Sequence, residues 1–433
     1  MLRFREFVVL LLAAVLIGCQ AGSRLGTEAQ GEAIAEYGLA KANPEEVGLS
    51  SERLRRINKA MEGYVDENKL AGVITMVARR GKVAHFESFG MSDRGSKKPM
   101  EADTIFRIYS MSKPITSVAV MMLYEEGHFH LNDPVSKFIP EFKSVKVFVR
   151  KTESGVELAE PKREITIRDL LTHTSGLAYG LGKDSPVEEM YQDEKMLRWD
   201  ETVEEKVGRL VKLPLANQPG SAWRYSISVD VLGYLVEVIS GRRLDVFLEE
   251  RIFKPLGMED TGFYVPEEKI GRFAALYKAK ETDDVGHEGT LYLGDFSKLP
   301  LFLSGGGGLV STAWDYMRFC QMLLNGGELD GVRLLGRKTV ELMTTNHLTN
   351  ELIQQGNMAK GFGFGLGFAV LMDVAQSETV GSEGEYSWGG AASTGFWINP
   401  EEELIGILMT QFIPYTGRFT EDLKVLTYQA IID

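Results

Sequence analysis

The chain has 433 residues, 44% of them apolar and 25% charged, a globular composition with length for one large core or two layered subdomains. A net charge of −13 without any Lys/Arg run argues against nucleic acid as a partner. None of the six histidines forms a ligand pattern with acids or cysteines, so no metal and no cofactor is expected.

The first residues read as a targeting segment. Arg3 and Arg5 precede an apolar run from Phe7 to Gly18, too short to span a bilayer comfortably and matching a secretory signal. Leu16-Ile17-Gly18-Cys19 resembles the lipobox of bacterial lipoproteins. That resemblance implies a signal peptide over 1–18 and lipidation at Cys19. A small, polar tether over 19–45 would then hold a folded domain, 46–433, at the outer side of a membrane in the cell envelope. The other cysteine, Cys320, reads as a small buried hydrophobe on an amphipathic helix.

The folded part opens with Ser50 capping a helix whose stripe is Leu54, Ile57, Met61, Tyr64 and Val65. Val73 to Ala78 and Lys82 to Phe86 are β-rich runs joined through Arg79-Arg80-Gly81, a hairpin in which His85 is a strand residue. Thr104 to Ile108 is a short strand leading into Tyr109-Ser110-Met111-Ser112-Lys113-Pro114. Pro114 belongs in or near the first turn of the helix that follows, because deeper it would lose a hydrogen bond and clash. Ser110 and Lys113 are then three apart on one face, with Ser110 near free backbone N–H groups at a helix start.

Residues 127–165 read as a loop and small-strand excursion, beginning beside the exposed pair His128 and His130. Ile165 to Leu177 predicts a capped short helix ending at Gly176, with His173 as a structural residue in its turn. Residues 186–256 are expected to be mostly helical, with one helix over Val203–Leu213, a turn at Asn217-Gln218-Pro219-Gly220 and another helix over Val231–Ile239 after Tyr225. Residues 266–304 look like a surface excursion, and Gly305 to Gly308 permit a backbone path closed to other residues. Strands return from 360: Phe362 to Val370, Tyr386 to Gly390, Gly395 to Asn399 and Leu404 to Met409, before a last helix over Arg418–Ile431. This order fits an antiparallel sheet interrupted by a mostly helical insertion over about 115–300.

A serine hydroxyl needs activation at neutral pH. Lys113 can supply it if its setting keeps the amine neutral, or it can hold another group ionised, and Tyr225 is the candidate for that group. The edge Gly389-Gly390-Ala391 lets backbone approach a substrate closely, so its N–H, with that of Ser110, suits an oxyanion.

These residues carry a resemblance. Over about 45–430 the chain resembles the serine β-lactamase and penicillin-binding-protein superfamily, and within it the family VIII carboxylesterases. The marks are the S-x-x-K of Ser110 and Lys113, the Ile165–Leu177 segment, Pro219-Gly220 before Tyr225-Ser226, Gly305–Gly308, and Trp388-Gly389-Gly390. The resemblance implies an α+β, transpeptidase-like fold with helices flanking an antiparallel sheet. It implies Ser110 as acylated nucleophile, Lys113 as its activating partner, Tyr225 as base then acid, and Ala391 N–H as second oxyanion donor. Two positions depart from the lactam-binding pattern. Ile227 stands where Tyr-x-Asn would put asparagine, and Trp388 stands where the last-strand motif would put a cation. Without that cation a substrate carboxylate loses a charge-assisted bond, so Trp388, Gly389 and Gly390 are expected to receive a small neutral ester. Activity on lactams or D-alanyl peptides, and acyl transfer to an alcohol, are the alternatives; a non-catalytic binding protein is the alternative from another class. Ala391 to Gly395 imitates a G-x-S-x-G elbow but lies between strands, which sets Ser393 aside.

Overall fold

The computed structural model describes residues 39–433 except 154, 183–184, 280–284, 287–293 and 357. The segment expected to be a signal, Cys19 with the expected tether up to residue 38, and His287 lie outside the described residues.

The sheet is assembled from the two ends of the folded chain. Its early strands are β1 (Gly72–Arg79), β2 (Lys82–Asp93) and the short β3 (Lys98–Pro99). The late ones are β4 (Phe362–Phe364), β5 (Ala369–Leu371), β6 (Tyr386–Gly389), β7 (Gly395–Asn399) and β8 (Leu404–Thr410). They run in the order β4-β5-β6-β7-β8-β1-β2-β3, and every neighbour pair is antiparallel. β1 joins β2 through Arg80 and Gly81 at φ 53° and 73°, the left-handed pair that a tight hairpin needs.

Helices cover both faces, so β1 is buried at every residue. α1 (Ser51–Asp66) is started by Ser50, whose hydroxyl accepts from Arg53 N–H, and α8 (Arg418–Tyr428) packs beside it. Together they take Val73 and Val77 of β1 with Trp397, Leu404 and Leu408. The alternate residues Ile74, Met76 and Ala78 face the larger core, with Phe396, Ile405 and Ile407. That core is filled by α2 (Ser112–Glu125) and α7 (Ala313–Leu324). α2 is buried from Ser112 to Leu123, which explains its lack of an amphipathic stripe. Cys320 lies buried on α7 among further core residues.

Between the two halves of the sheet run α3 (Ile167–Leu171), α4 (Pro186–Asp193), α5 (Val203–Leu210) and α6 (Ser228–Ser240). α6 packs on α2 and α3, which brings Tyr225 and its neighbours to the start of α2. Several boundaries differ from expectation, among them the end of α3, at Leu171 rather than at Gly176, and the start of α6, at Ser228 rather than Val231. α5 ends at Leu210, where Val211 to Leu213 turn away towards Pro214. Phe362 to Val370 is the hairpin β4–β5, since Gly365 to Phe368 form its turn. α8 stops at Tyr428, and Ile431 instead pairs with Leu49. Among the described residues no helix is long and apolar enough to cross a membrane.

Candidate active site

Ser110 sits in the short turn Tyr109–Met111 that runs directly into α2, with Pro114 inside the first turn of the helix. Tyr109 takes φ 43°, a left-handed conformation that a non-glycine residue adopts at a cost. The turn is clamped from behind. Tyr316 of α7 donates its buried hydroxyl to the Met111 carbonyl at 2.9 Å, and Leu309 N–H donates to Ser112 Oγ at 3.1 Å.

Tyr225 donates its hydroxyl to Ser110 Oγ at 2.7 Å, and Lys113 Nζ donates to the same oxygen at 3.1 Å. Lys113 is 1% exposed. Its other hydrogen bonds run to the Gly306 carbonyl at 2.6 Å and to Tyr179 Oη at 3.4 Å. Three acceptors match the three donors of an ammonium group. Nζ also stands 4.7 Å from the centre of the Tyr225 ring. The structure therefore brings Lys113 and Tyr225 together within hydrogen-bond reach of Ser110 Oγ.

Two supporting groups had no signal in the sequence. Tyr179 follows the turn at Gly176 and stacks on Tyr225, ring centres 5.3 Å apart. Burial, then the neighbouring Tyr225 and Asp230, push its hydroxyl well above the ordinary tyrosine range, so it stays protonated. Asp230, on the first turn of α6, accepts from Gly306 N–H at 3.0 Å and Ser304 Oγ at 2.6 Å. It thereby fixes the glycine whose carbonyl holds Lys113. A Cβ on Gly306 would meet Asp230 Oδ2 at 2.9 Å, which gives this glycine its reason. Asp230 stands five residues after Tyr225, and nothing local marks either it or Tyr179.

His173 is structural, in keeping with its sequence reading. Its Nδ1 accepts from Ser226 N–H at 3.3 Å, and its ring backs Tyr225 at 4.9 Å. Burial and the Lys113 charge hold it well below the usual histidine range, hence neutral. His85 is a buried strand residue bonded to Thr75 Oγ1 at 2.8 Å. No group of metal-ligating side chains occurs among the described residues.

The site opens into a pocket of about 990 Å³. Leu181, Met196, Trp199, Phe302 and Met358 contribute apolar wall. Trp388 adds its ring, 5.6 Å from Tyr225 and 5.3 Å from Phe364. Lys424 is the one cation among the described lining residues, and Glu385 holds it at 2.5 Å. Ile227 is buried in the core and is absent from the pocket wall.

Gly389, Gly390 and Ala391 line the same pocket, at the end of β6 and in the turn to β7. Their closeness has an unexpected partner: a Cβ on Gly390 would meet the Ile108 carbonyl at 2.3 Å. The glycine thus lets the sheet edge abut the segment carrying the serine. Neither Ser110 N–H nor Ala391 N–H has a protein acceptor among the described residues.

The comparisons agree with this geometry. The family model described as Beta-lactamase matches residues 57–427. Protein Rv1367c of Mycobacterium tuberculosis (strain ATCC 25618 / H37Rv) is 39% identical over 360 residues, covering 81% of this chain and 88% of that protein. Esterase EstB of Burkholderia gladioli is 30% identical over 372 residues, covering 82% and 89%. The solved structure of "EstCE1, a hydrolase with promiscuous acyltransferase activity" aligns with TM-score 0.75 and 28% identity, covering 87% of this chain and 99% of that one. The match of one family model across most of the folded residues, on a fold that delivers a serine, a lysine and a tyrosine to one pocket, leads to one assignment: the chain belongs to the beta-lactamase family.

Proposed function

We propose that this protein is a serine hydrolase that cleaves carboxylic esters through an acyl-enzyme on Ser110. The observation that carries the reading is Ser110 Oγ bonded at once by Tyr225 at 2.7 Å and Lys113 at 3.1 Å. The names of the relatives EstB and EstCE1 support the ester as substrate.

In this reading Tyr225 first gives its hydroxyl proton to solvent, favoured by the Lys113 ammonium, and the 2.7 Å bond reverses, so that Ser110 Oγ attacks the ester carbonyl while its own proton passes to the Tyr225 phenolate. The carbonyl oxygen becomes negative and takes the N–H groups of Ser110 and Ala391. Collapse expels the alkoxide, which receives the proton from Tyr225 and leaves as alcohol. Water then repeats the sequence on the acyl-enzyme, releasing the acid and restoring the serine. Trp388 and its aromatic neighbours offer an apolar wall to a neutral ester, and among the described lining residues the one cation, Lys424, is already held by Glu385.

Mass spectrometry of protein quenched during turnover of p-nitrophenyl butyrate tests this. An acyl adduct on the Ser110 peptide, lost with all hydrolysis in Ser110→Ala, is the expected result. Hydrolysis retained by that folded variant would overturn it. A second reading, transfer of the acyl group to an alcohol, is favoured by a pocket of about 990 Å³, large enough for acyl group and acceptor together. Added alcohol would then yield a new ester in the same assay.

A further inference from the structure

Ser393 is a buried hydroxyl close to the site that the proposed reaction does not use. It lies in the turn Gly390-Ala391-Ala392-Ser393-Thr394 between β6 and β7. Two backbone bonds close that turn: Ser393 N–H to the Gly390 carbonyl at 2.9 Å, and Gly390 N–H to the Thr394 carbonyl at 2.9 Å. Ser393 itself takes φ 62°. Glycine would hold that left-handed conformation without strain, whereas serine holds it against its Cβ. The position therefore carries a strained side chain where backbone geometry alone asks for none.

The hydroxyl gives the reason. Ser393 is 0% exposed. Its Oγ donates to the Phe412 carbonyl at 2.9 Å and accepts from Thr416 N–H at 3.1 Å. Phe412 N–H in turn donates to the Ala392 carbonyl at 3.0 Å. The turn is thus pinned to the segment 412–416 by three bonds around one serine. Ala391, two residues before, lines the pocket, and so does Tyr415, which lies between the two ends of the pinned segment. A Cβ on Gly389 would stand 3.3 Å from the Tyr415 hydroxyl, so the two pieces meet at the rim of the site.

We propose that Ser393 is a positioning residue for the oxyanion site: its hydroxyl clamps the β6–β7 turn to residues 412–416 and so fixes the direction of the Ala391 N–H. The proposal rests on the reading of Ala391 as an oxyanion donor. A donor misdirected by a fraction of an ångström weakens the transition state more than it weakens substrate binding, because the bond is strongest to the charged oxygen. Loss of the clamp should therefore fall on kcat and leave KM nearly alone.

The test compares p-nitrophenyl acetate with its thionoester, in which a larger, weaker acceptor sulfur replaces the carbonyl oxygen. Ser393→Gly and Ser393→Ala are measured beside the parent. Glycine relieves the left-handed backbone, so it keeps the experiment informative if alanine folds poorly. For both variants we expect kcat on the oxygen ester to fall on the order of 10-fold or more, with KM held within about 2-fold. The thionoester rate should change little, so the preference for oxygen narrows. A parent that prefers oxygen, with variants keeping both kcat and that preference, overturns the role of Ser393 and leaves Ala391 as donor. Full activity in Ser393→Gly alone has the same meaning, since the hydroxyl is then dispensable. A parent indifferent to sulfur overturns the Ala391 reading, and this proposal with it.

Discussion

Two tyrosines reach the charged end of Lys113, and their geometry assigns them unequal work. Tyr225 Oη lies 2.7 Å from Ser110 Oγ, whereas Tyr179 Oη bonds Lys113 Nζ, at 3.4 Å. A phenol that exchanges a proton with the nucleophile contributes about 100-fold or more, while one that merely orients its neighbour contributes far less. Tyr225→Phe should therefore lose at least about 100-fold in kcat, and Tyr179→Phe should stay within about 10-fold of the parent. Steady-state kinetics on one ester, with circular dichroism to confirm folding, checks both. Equal losses would mean that the two hydroxyls share a single proton path. The spacing of Ser110 and Lys113 was legible because it is local: three residues at a helix start can only share a face. Tyr179 was not, because a loop after Gly176 carries it and only the packing of α6 on α2 brings that loop over Lys113.

At the scale of elements, the glycine at the end of β6 and the one after it have a second reason for close approach. Close approach was expected at Gly389 and Gly390, with the substrate as the thing approached. Both do line the pocket, yet Gly390 is required by the Ile108 carbonyl and by Thr394 Oγ1, each 2.3 Å from where its Cβ would be. At Gly389 the nearest atoms would be 3.1 Å and 3.3 Å away, a contact that small shifts relieve. Gly390→Ala must therefore push the sheet edge away from the nucleophile turn, at a cost of about 1–3 kcal/mol of stability. Gly389→Ala should cost clearly less. Thermal unfolding together with kcat/KM measures this order, and equal stabilities for the two variants would contradict it. The strands themselves were readable from their β-branched runs, and the antiparallel sheet with its helical insertion stands as expected. Boundaries were less so: Gly365 to Phe368 look like strand in an alternating pattern and are the turn of β4–β5.

For the whole molecule, two buried groups on adjoining layers set opposite responses to acid. His85 is on β2 and Asp315 on α7, and their chain neighbours Phe86 and Trp314 pack ring to ring at 5.1 Å. Burial lowers His85 from 6.5 to about 4. As pH falls below 6.5 the unfolded chain takes up a proton that the folded one refuses, so stability drops until about pH 4, by roughly 3 kcal/mol. Burial raises Asp315 from 3.8 to about 7, against the bonds its Oδ2 accepts from Thr261 Oγ1 and Asp260 N–H. Here the folded state keeps the proton, so its contribution is full below pH 3.8 and is lost as pH rises to about 7, by roughly 4 kcal/mol. Across that shared window the two slopes oppose each other. Removing one should uncover the other. In Asp315→Asn the acceptor oxygen is kept and the ionisation is gone, so the variant should gain on the parent as pH rises from about 4 to 7.5. Its own stability should then decline on acidification, as the buried neutral His85 and His173 dictate. Urea unfolding of both proteins at several pH values in this range reads the difference directly. A gap between variant and parent that does not change with pH would show that Asp315 ionises in the folded state as freely as in water.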